Sequence, residues 1–172
     1  HKDGRATLMP TETLRNLKLA HESLVVFRSL LGISWMWFFG AVFLTQFPAF
    51  AKDVLGGDER VASLLLVVFS IGIATGSLMC ETLSRRHVEI GLVPFGAFGM
   101  SVFAFDLYFA SRGIVHPAAA LSVGDFLASG ANWRVLADLA LLALFAGLYS
   151  VPMYALIQMR APASHRSRII AA

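Results

Sequence analysis

The sequence predicts an all-α integral membrane protein with four transmembrane helices. Hydrophobic residues make up 57% of the 172 residues and charged residues 15%, whereas a typical soluble domain has about 45–50% and about 25%. The 14 glycines, 14 phenylalanines and 3 tryptophans are also typical of membrane proteins, in which glycine and aromatic residues are enriched. The third observation is that the uncharged residues are concentrated in four long windows.

Each of the four windows is long enough to cross a bilayer as a helix. A hydrocarbon core of about 30 Å needs about 20 helical residues, and each window holds at least that many with at most one charge. The alternative, buried helices of a large soluble protein, predicts apolar runs of about 10–14 residues, which are shorter than all four windows. The spans are therefore predicted at about 29–51, 61–80, 90–111 and 138–159.

The distribution of lysine and arginine predicts the orientation of the spans. If the chain starts in the cytoplasm, the inner segments 1–28, 81–89 and 160–172 carry ten of the 14 basic residues, and the outer segments 52–60 and 112–134 carry four. Cytoplasmic loops are enriched in basic residues. Both ends and the turn between the second and third spans are therefore predicted to be cytoplasmic, and the net charge of +3 reflects topology rather than nucleic-acid binding.

The turn at 81–89, "ETLSRRHVE", is the polar segment between the second and third spans. Arg85 and Arg86 are predicted to hold it against the anionic inner leaflet, and Glu81 is an acidic member of the same loop. His87 could be a ligand or a pH sensor, but a solvated loop histidine is the simpler interpretation.

Residues 1–28 are predicted to be a cytoplasmic linker and lead-in helix, and residues 29–172 a transmembrane bundle fragment. Several apolar residues of 11–28 share one helical face, so this segment either leads straight into the first span, which we favour, or lies along the inner membrane surface. The chain opens with His1 rather than methionine, and we therefore expect a piece of a longer protein.

Small residues and prolines within the spans predict close packing and bends. Gly72 and Gly76 form a G-x-x-x-G pair, which lets helix backbones approach closely in lipid, and packing is the interpretation that we favour for it. Pro94 and Pro152 each remove a backbone donor and are expected to bend their spans. Pro152 is a candidate hinge, although a fixed kink that fits a neighbouring helix explains it as well.

Polar side chains inside the spans are the candidate substrate pathway. Carboxylates within a membrane mark ion or substrate paths, which applies to Asp106 in the third span and Asp138 at the start of the fourth. Arg134 precedes Asp138 by four residues, so a local ion pair could form on one helix, and both acids could instead anchor the spans at the interface. Hydrogen bonds between helices are the alternative use of the neutral polar groups. The pathway candidates are Gln46, Asp106, Tyr149, Tyr154 and Gln158.

The sequence contains no pattern that predicts enzyme chemistry, a metal site or a cofactor. The five histidines are scattered, and none has a second histidine, a cysteine or a carboxylate at metal-ligand spacing. Neither a G-x-S-x-G nucleophile motif nor a phosphate-binding glycine loop is present. The single cysteine, Cys80, rules out an intrachain disulfide. Membrane lipids are the first expected partners.

Three stretches resemble the C-terminal half of major facilitator superfamily transporters. "SVPMYALIQMRAPASHRSRIIAA" resembles the tenth helix and the following loop, "IGIATGSLMCETLSRRHVEIGLVPFG" the eighth and ninth helices, and "SLLGISWMWFFGAVFLTQFPAFAKDVLG" the seventh. More narrowly, these stretches are similar to bacterial lysophospholipid transporters. The resemblance covers about residues 24–172 and implies four helices of the six-helix C-terminal bundle in a twelve-helix fold.

Two features depart from the superfamily pattern. The general loop reads Gly-x-x-x-Asp-x-x-Gly-Arg-Arg, whereas here the acidic residue is Glu81, and Arg85 and Arg86 come one place late. The outer connection at 112–134 is longer than two helices need. A short interfacial element, with Trp133 at the level of the lipid headgroups, is expected there.

The resemblance implies a secondary transporter that works by alternating access between two six-helix halves. It implies a bacterial inner-membrane protein that flips lysophospholipid, with the N-terminal half of the same protein and, in some relatives, an acyltransferase as partners. The alternatives are a general drug or metabolite exporter of the same superfamily and a non-transporting membrane scaffold. Four helices alone are expected to be inactive, because the substrate site needs both halves.

Overall fold

The computed structural model describes residues 24–83, 91–114 and 119–160, and this part of the chain is almost entirely helical. It contains four long helices, one short helix and no β-strand. All four long helices have the length and apolar composition needed to cross a membrane. The predictions of an all-α fold and of four helices able to cross a membrane are therefore confirmed for the described residues.

The long helices extend beyond the charge-free windows at several ends. The elements are α1 (Leu24–Ala49), which a π-helical turn (Phe50–Val54) continues, α2 (Glu59–Leu83), α3 (Leu92–Ser111), the short α4 (Val123–Ala128) and α5 (Gly130–Arg160). The largest difference is at α5, which begins well before residue 138. A helix tolerates charged side chains at its ends, so a window defined by charge underestimates its length.

The chain divides into two compact units. The main unit is Met36–Pro152, and the terminal unit combines His1–Trp35 with Met153–Ala172. In the described part of the terminal unit, the buried side chains of each helix are three and four residues apart, so they share one helix face. They are Val26, Ser29 and Ile33 on α1 and Met153, Leu156 and Ile157 on α5.

In the main unit, α2 and α5 run parallel with their backbones in contact. A Cβ atom on Gly72 would lie 2.6 Å from the Ala140 carbonyl oxygen, and one on Gly147 would lie 2.6 Å from a carbonyl oxygen of α2. A Cβ atom on Gly76 would overlap the backbone of Leu144. Only glycine permits this approach, and the close packing predicted for the G-x-x-x-G pair is confirmed.

α3 packs against α5 in the opposite direction. The Phe145 ring of α5 lies over Gly99, and its centroid is 5.3 Å from that of Phe95 and 5.6 Å from that of Phe103. α5 is the most buried of the long helices: half of its most apolar stretch is buried, against 17% for α1 and α3 and 28% for α2. A larger share of α5 than of the other three long helices is therefore buried inside the protein.

The connections that follow α1 and α3 lie at the same end of the main unit. The Asp58 N–H donates to the Leu121 carbonyl oxygen at 3.0 Å, and the Leu121 N–H donates to the Gly56 carbonyl oxygen at 2.8 Å. We call this end of the main unit the connector end. The topology requires 52–60 and 112–134 to share one side of the membrane, and these bonds agree with it; which side that is stays a prediction.

Candidate functional site

An ion pair joins α3 to α5 near the connector end. The Arg134 side chain donates from Nε to Asp106 Oδ2 at 3.4 Å and from Nη2 to Asp106 Oδ1. The sequence also allowed a local pair between Arg134 and Asp138, but Arg134 makes its ion pair with Asp106. The antiparallel packing of α3 on α5 brings Asp106 opposite Arg134, and the forked guanidinium matches both oxygens of a carboxylate.

Asp138, one turn further along α5, is buried. Its exposed fraction is 4%, and its Oδ2 atom has no hydrogen-bond partner among the described residues. The Asp138 carboxyl interacts electrostatically with Asp106 and Arg134. We call these three residues the acid–arginine cluster. The side chains of Arg134 and Asp106 are 58% and 39% exposed, so the cluster is open at one side and closed at Asp138.

If the core-spanning part of α5 ends at Met159, the acid–arginine cluster lies near the connector-side edge of the hydrocarbon core. α5 has 31 residues and is about 46 Å long at about 1.5 Å per residue, whereas the core is about 30 Å thick. A core-spanning segment that ends at Met159 begins about 20 residues earlier, near residue 140. Asp138 then lies at the boundary of the core and Arg134 one turn outside it.

The short helix α4 fixes the start of α5. The buried Asn132 side chain donates from Nδ2 to the Phe126 carbonyl oxygen, and the Trp133 indole donates from Nε1 to the Leu127 carbonyl oxygen, both at 2.8 Å. Phe126 is itself fully buried. The short element expected within 112–134 is therefore confirmed, and its location among the lipid headgroups stays a prediction.

Gln46 lines a small cavity at the level of the acid–arginine cluster. The cavity has a volume of about 180 Å³, and its other lining residues are apolar: Val42, Phe43, Phe47, Phe50, Leu107 and Leu139. Two of these residues directly follow Asp106 and Asp138 in the sequence, which puts the cavity and the cluster at the same height. Such a cavity can take part of an apolar chain but offers it almost no polar surface.

The remaining pathway candidates lie on α5, further from the connector end. Tyr149 is half-buried in the main unit, where it faces Gly96 of α3. Tyr154 is half-buried and Gln158 is exposed, and both belong to the terminal unit. Among the candidates in the main unit, Gln46 and Asp106 lie at the same height along the helices. Tyr149 lies further from the connector end, beside Gly96.

The two prolines predicted to bend the spans have different positions. Pro152 lies inside α5, which continues beyond it. It has no N–H for the Leu148 carbonyl. The nearby Ser150 hydroxyl donates to a different carbonyl oxygen, that of Gly147, at 3.2 Å. A hinge at Pro152 stays a prediction. Pro94 lies in the first turn of α3, where backbone N–H groups have no helical partner, so it removes no helical hydrogen bond there.

The predicted cytoplasmic turn is shorter than its polar sequence. Glu81 is an exposed residue of the last turn of α2 rather than part of a loop. Arg85, Arg86 and His87 lie outside the described residues. The prediction that the two arginines contact the inner leaflet therefore remains a prediction.

A larger groove at the connector end was not predicted from the sequence. Its volume is about 630 Å³, and its mainly apolar lining also contains Lys52, Asp58 and Glu59. It lies beside Pro48, which is inside α1 just before the π-helical turn. Pro48 was the available signal, because a proline inside a helix bends it.

Comparison of the chain with protein-family models, curated proteins and solved structures gives no match. Within the described ranges, no three histidine, cysteine, aspartate or glutamate residues come together as metal ligands would. The chemistry available to the main unit is therefore that of two carboxyls and one guanidinium beside an apolar cavity.

Proposed function

We propose that the chain forms four helices of a bacterial inner-membrane secondary transporter of the major facilitator type. The observation that carries the proposal is the acid–arginine cluster, because ionisable residues in membrane helices are rare and mark substrate or ion pathways. A static scaffold would gain nothing from the buried Asp138 carboxyl with its unpartnered oxygen, since an unsatisfied buried polar group reduces stability.

A lysophospholipid is the substrate that we propose. Its acyl chain requires an apolar surface, and the cavity beside Gln46 is almost entirely apolar. The motif resemblance to bacterial lysophospholipid transporters supports the same substrate. The expected partners are an N-terminal six-helix half of the same protein, which would complete the site for alternating access, and an acyltransferase that consumes the transported lipid.

An exporter of cationic drugs is the second candidate. The observation that favours it is the charge of the acid–arginine cluster, in which two carboxyls face one guanidinium. With both acids ionised, the cluster has one excess negative charge, which would attract a cationic substrate. The two candidates share a fold and differ in the substrate that they move.

Transport by the full-length protein in proteoliposomes tests the proposal. We expect uptake of labelled lysophosphatidylethanolamine and no uptake of a panel of cationic drugs. Gln46→Leu is expected to lower lysophospholipid uptake several-fold, because it removes the amide group beside the apolar cavity. Thr45→Val is the matched control: Thr45 is exposed and its hydroxyl donates to Val42 of its own helix at 2.9 Å, so uptake should not change.

The outcomes separate the three classes of protein. Uptake of a cationic drug without uptake of lysophospholipid would identify the exporter. Inserted, folded protein that moves neither substrate would support the scaffold. Equal uptake by Gln46→Leu and the wild type would remove the cavity from the pathway.

A further inference from the structure

The Asp138 carboxyl has a buried oxygen that no described residue satisfies. The side chains packed at this level of the main unit are apolar and belong to one buried cluster, which includes Phe47, Leu65, Leu107 and Leu139. The Oδ2 atom of a carboxylate in such surroundings loses its hydration and gains no hydrogen bond in return, which is unfavourable. A nearby positive charge or a bound proton would lower this penalty, because it compensates or removes the buried negative charge.

Two charged side chains act on Asp138. They are Asp106 of α3 and Arg134 of its own helix, and Arg134 already directs two hydrogen bonds to Asp106. The guanidinium therefore balances Asp106, and the excess negative charge falls on the buried acid. Two carboxyls that share a site do not easily ionise together. One bound proton balances the charge of the cluster and supplies an O–H group at the unpartnered oxygen.

We propose that Asp138 is a proton-binding site, with Asp106 as the group through which the proton enters and Arg134 as the fixed counterion. A proton from water at the connector end binds a carboxylate oxygen of Asp106, which is partly exposed. The O–H bond at Asp106 then breaks as one forms at the buried Asp138 carboxyl, with which Asp106 interacts directly. Arg134 stays paired with the Asp106 carboxylate that is restored, and the reverse sequence releases the proton.

The order of exposure supports this direction of transfer. The Asp106 side chain is 39% exposed, whereas the whole Asp138 residue is only 4% exposed, and both lie near the connector end. Proton binding itself requires no substrate. Its use as the driving ion for transport is a consequence that rests on the proposed function.

Infrared difference spectroscopy of the full-length protein in lipid nanodiscs tests the site. A protonated carboxyl has a C=O stretch that is separate from the carboxylate bands and shifts on exchange into deuterium oxide. We expect such a band from the wild type in mildly acidic buffer and its loss in alkaline buffer, and a further shift of the band when aspartate carries a carbon-13 carboxyl. The band should be lost in Asp138→Asn. It should remain in Asp125→Asn, the matched control at the exposed start of α4.

A second variant keeps the test decisive if Asp138→Asn does not fold. Asp138→Glu retains a carboxyl in the site, so the band should persist and become insensitive to the aspartate label. The proposal is overturned if Asp138→Asn keeps the labelled band, or if the band of Asp138→Glu still responds to the aspartate label. No transport is measured, so failure of the proton site and failure of lysophospholipid transport are separate results.

Discussion

The ion pair between Asp106 and Arg134 connects residues 28 positions apart, and its energetic role is limited. Both side chains are more than a third exposed, and exposed ion pairs typically contribute about 0–1 kcal/mol. The association of α3 with α5 therefore depends mainly on the packing of Phe145 over Gly99. The ion pair also holds a charge beside Asp138, which is its role in the proton site that we propose.

The two acids of the cluster could be identified from the sequence, but their arrangement could not. Asp106 and Asp138 stand out because each is a charge in or beside an apolar span. The spacing of four residues indicates neighbours on one helix, so it suggested a pair between Arg134 and Asp138. The actual partner of Arg134 depends on how far α3 is displaced along α5, and periodicity within one helix contains no information about that displacement.

Replacement of Asn132 tests the hydrogen bond that fixes the start of α5. Asn132→Leu keeps the number and branching of the side-chain heavy atoms but removes the shorter of the two hydrogen bonds to the Phe126 carbonyl, leaving the Ser129 N–H at 3.4 Å. A typical hydrogen bond contributes about 0.5–1.5 kcal/mol, so the thermal midpoint of the detergent-solubilised protein should fall. Trp133→Phe is the control: it also removes one donor, but Trp133 is 57% exposed, and we expect a much smaller shift. Equal thermal midpoints for Asn132→Leu and the wild type would show that the Asn132 hydrogen bond does not stabilise the protein.

The number and order of the long helices could be predicted because apolar length alone determines whether a helix can cross a bilayer. Their ends could not be predicted from charge, as the early start of α5 shows. The short α4 has only six residues, so no periodic pattern could identify it. Its presence depends on the tertiary contacts of Phe126 and on the hydrogen bonds from the first turn of α5.

The contact between α2 and α5 can be tested with one methyl group. Gly76→Ala places a Cβ atom against the Leu144 backbone, and backbone cannot rotate away as a side chain can. Overpacking typically costs about 1–3 kcal/mol, and we expect a lower thermal midpoint. Gly40→Ala is the matched control, because its Cβ would meet nothing within 4 Å and alanine has the higher helix propensity. A stable Gly76→Ala protein would show that the two helices are further apart.

The candidate hinge of α5 can be tested through its proline. Pro152→Ala restores an N–H that can bond to the Leu148 carbonyl, so the helix should straighten and become at least as stable as before. If bending there is needed for transport, uptake per folded molecule should fall several-fold at unchanged thermal stability. Pro94→Ala is the control, because Pro94 lies in the first turn of α3 and interrupts no helical bond. A normal uptake rate in a stable Pro152→Ala variant would exclude the hinge. A proportional loss of uptake and thermal stability would indicate that Pro152 serves only the packing of α5.

At the scale of the whole molecule, the structure links two segments that the sequence placed on one side of the membrane. The connection after α1 bonds directly to the one before α4, through Gly56, Asp58 and Leu121. Spans that alternate in direction require these two connections to lie on one side of the membrane. The parallel packing of α2 with α5 requires the same, because both helices then begin at that side. The side on which this end lies follows only from the basic residues, of which ten of 14 occupy the other side.

Cysteine labelling can determine that side, and the structure indicates which positions to use. The single cysteine, Cys80, is 2% exposed, so Cys80→Ala provides a cysteine-free background. Asp58 accepts hydrogen bonds from two backbone N–H groups at the start of α2, and Ser122 caps α4, so neither should be replaced. Glu59 and Ala119 are exposed neighbours of these caps and are the better sites.

A membrane-impermeant maleimide applied to intact cells is expected to label Glu59→Cys and Ala119→Cys. His87→Cys should react only after the membrane is permeabilised, because the basic residues retain its turn in the cytoplasm. Two different failures are informative. Labelling of His87→Cys alone in sealed cells would reverse the orientation and leave the fold intact. Labelling of only one of the other two variants would contradict the fold itself, because two connections joined by hydrogen bonds cannot lie on opposite sides of a bilayer.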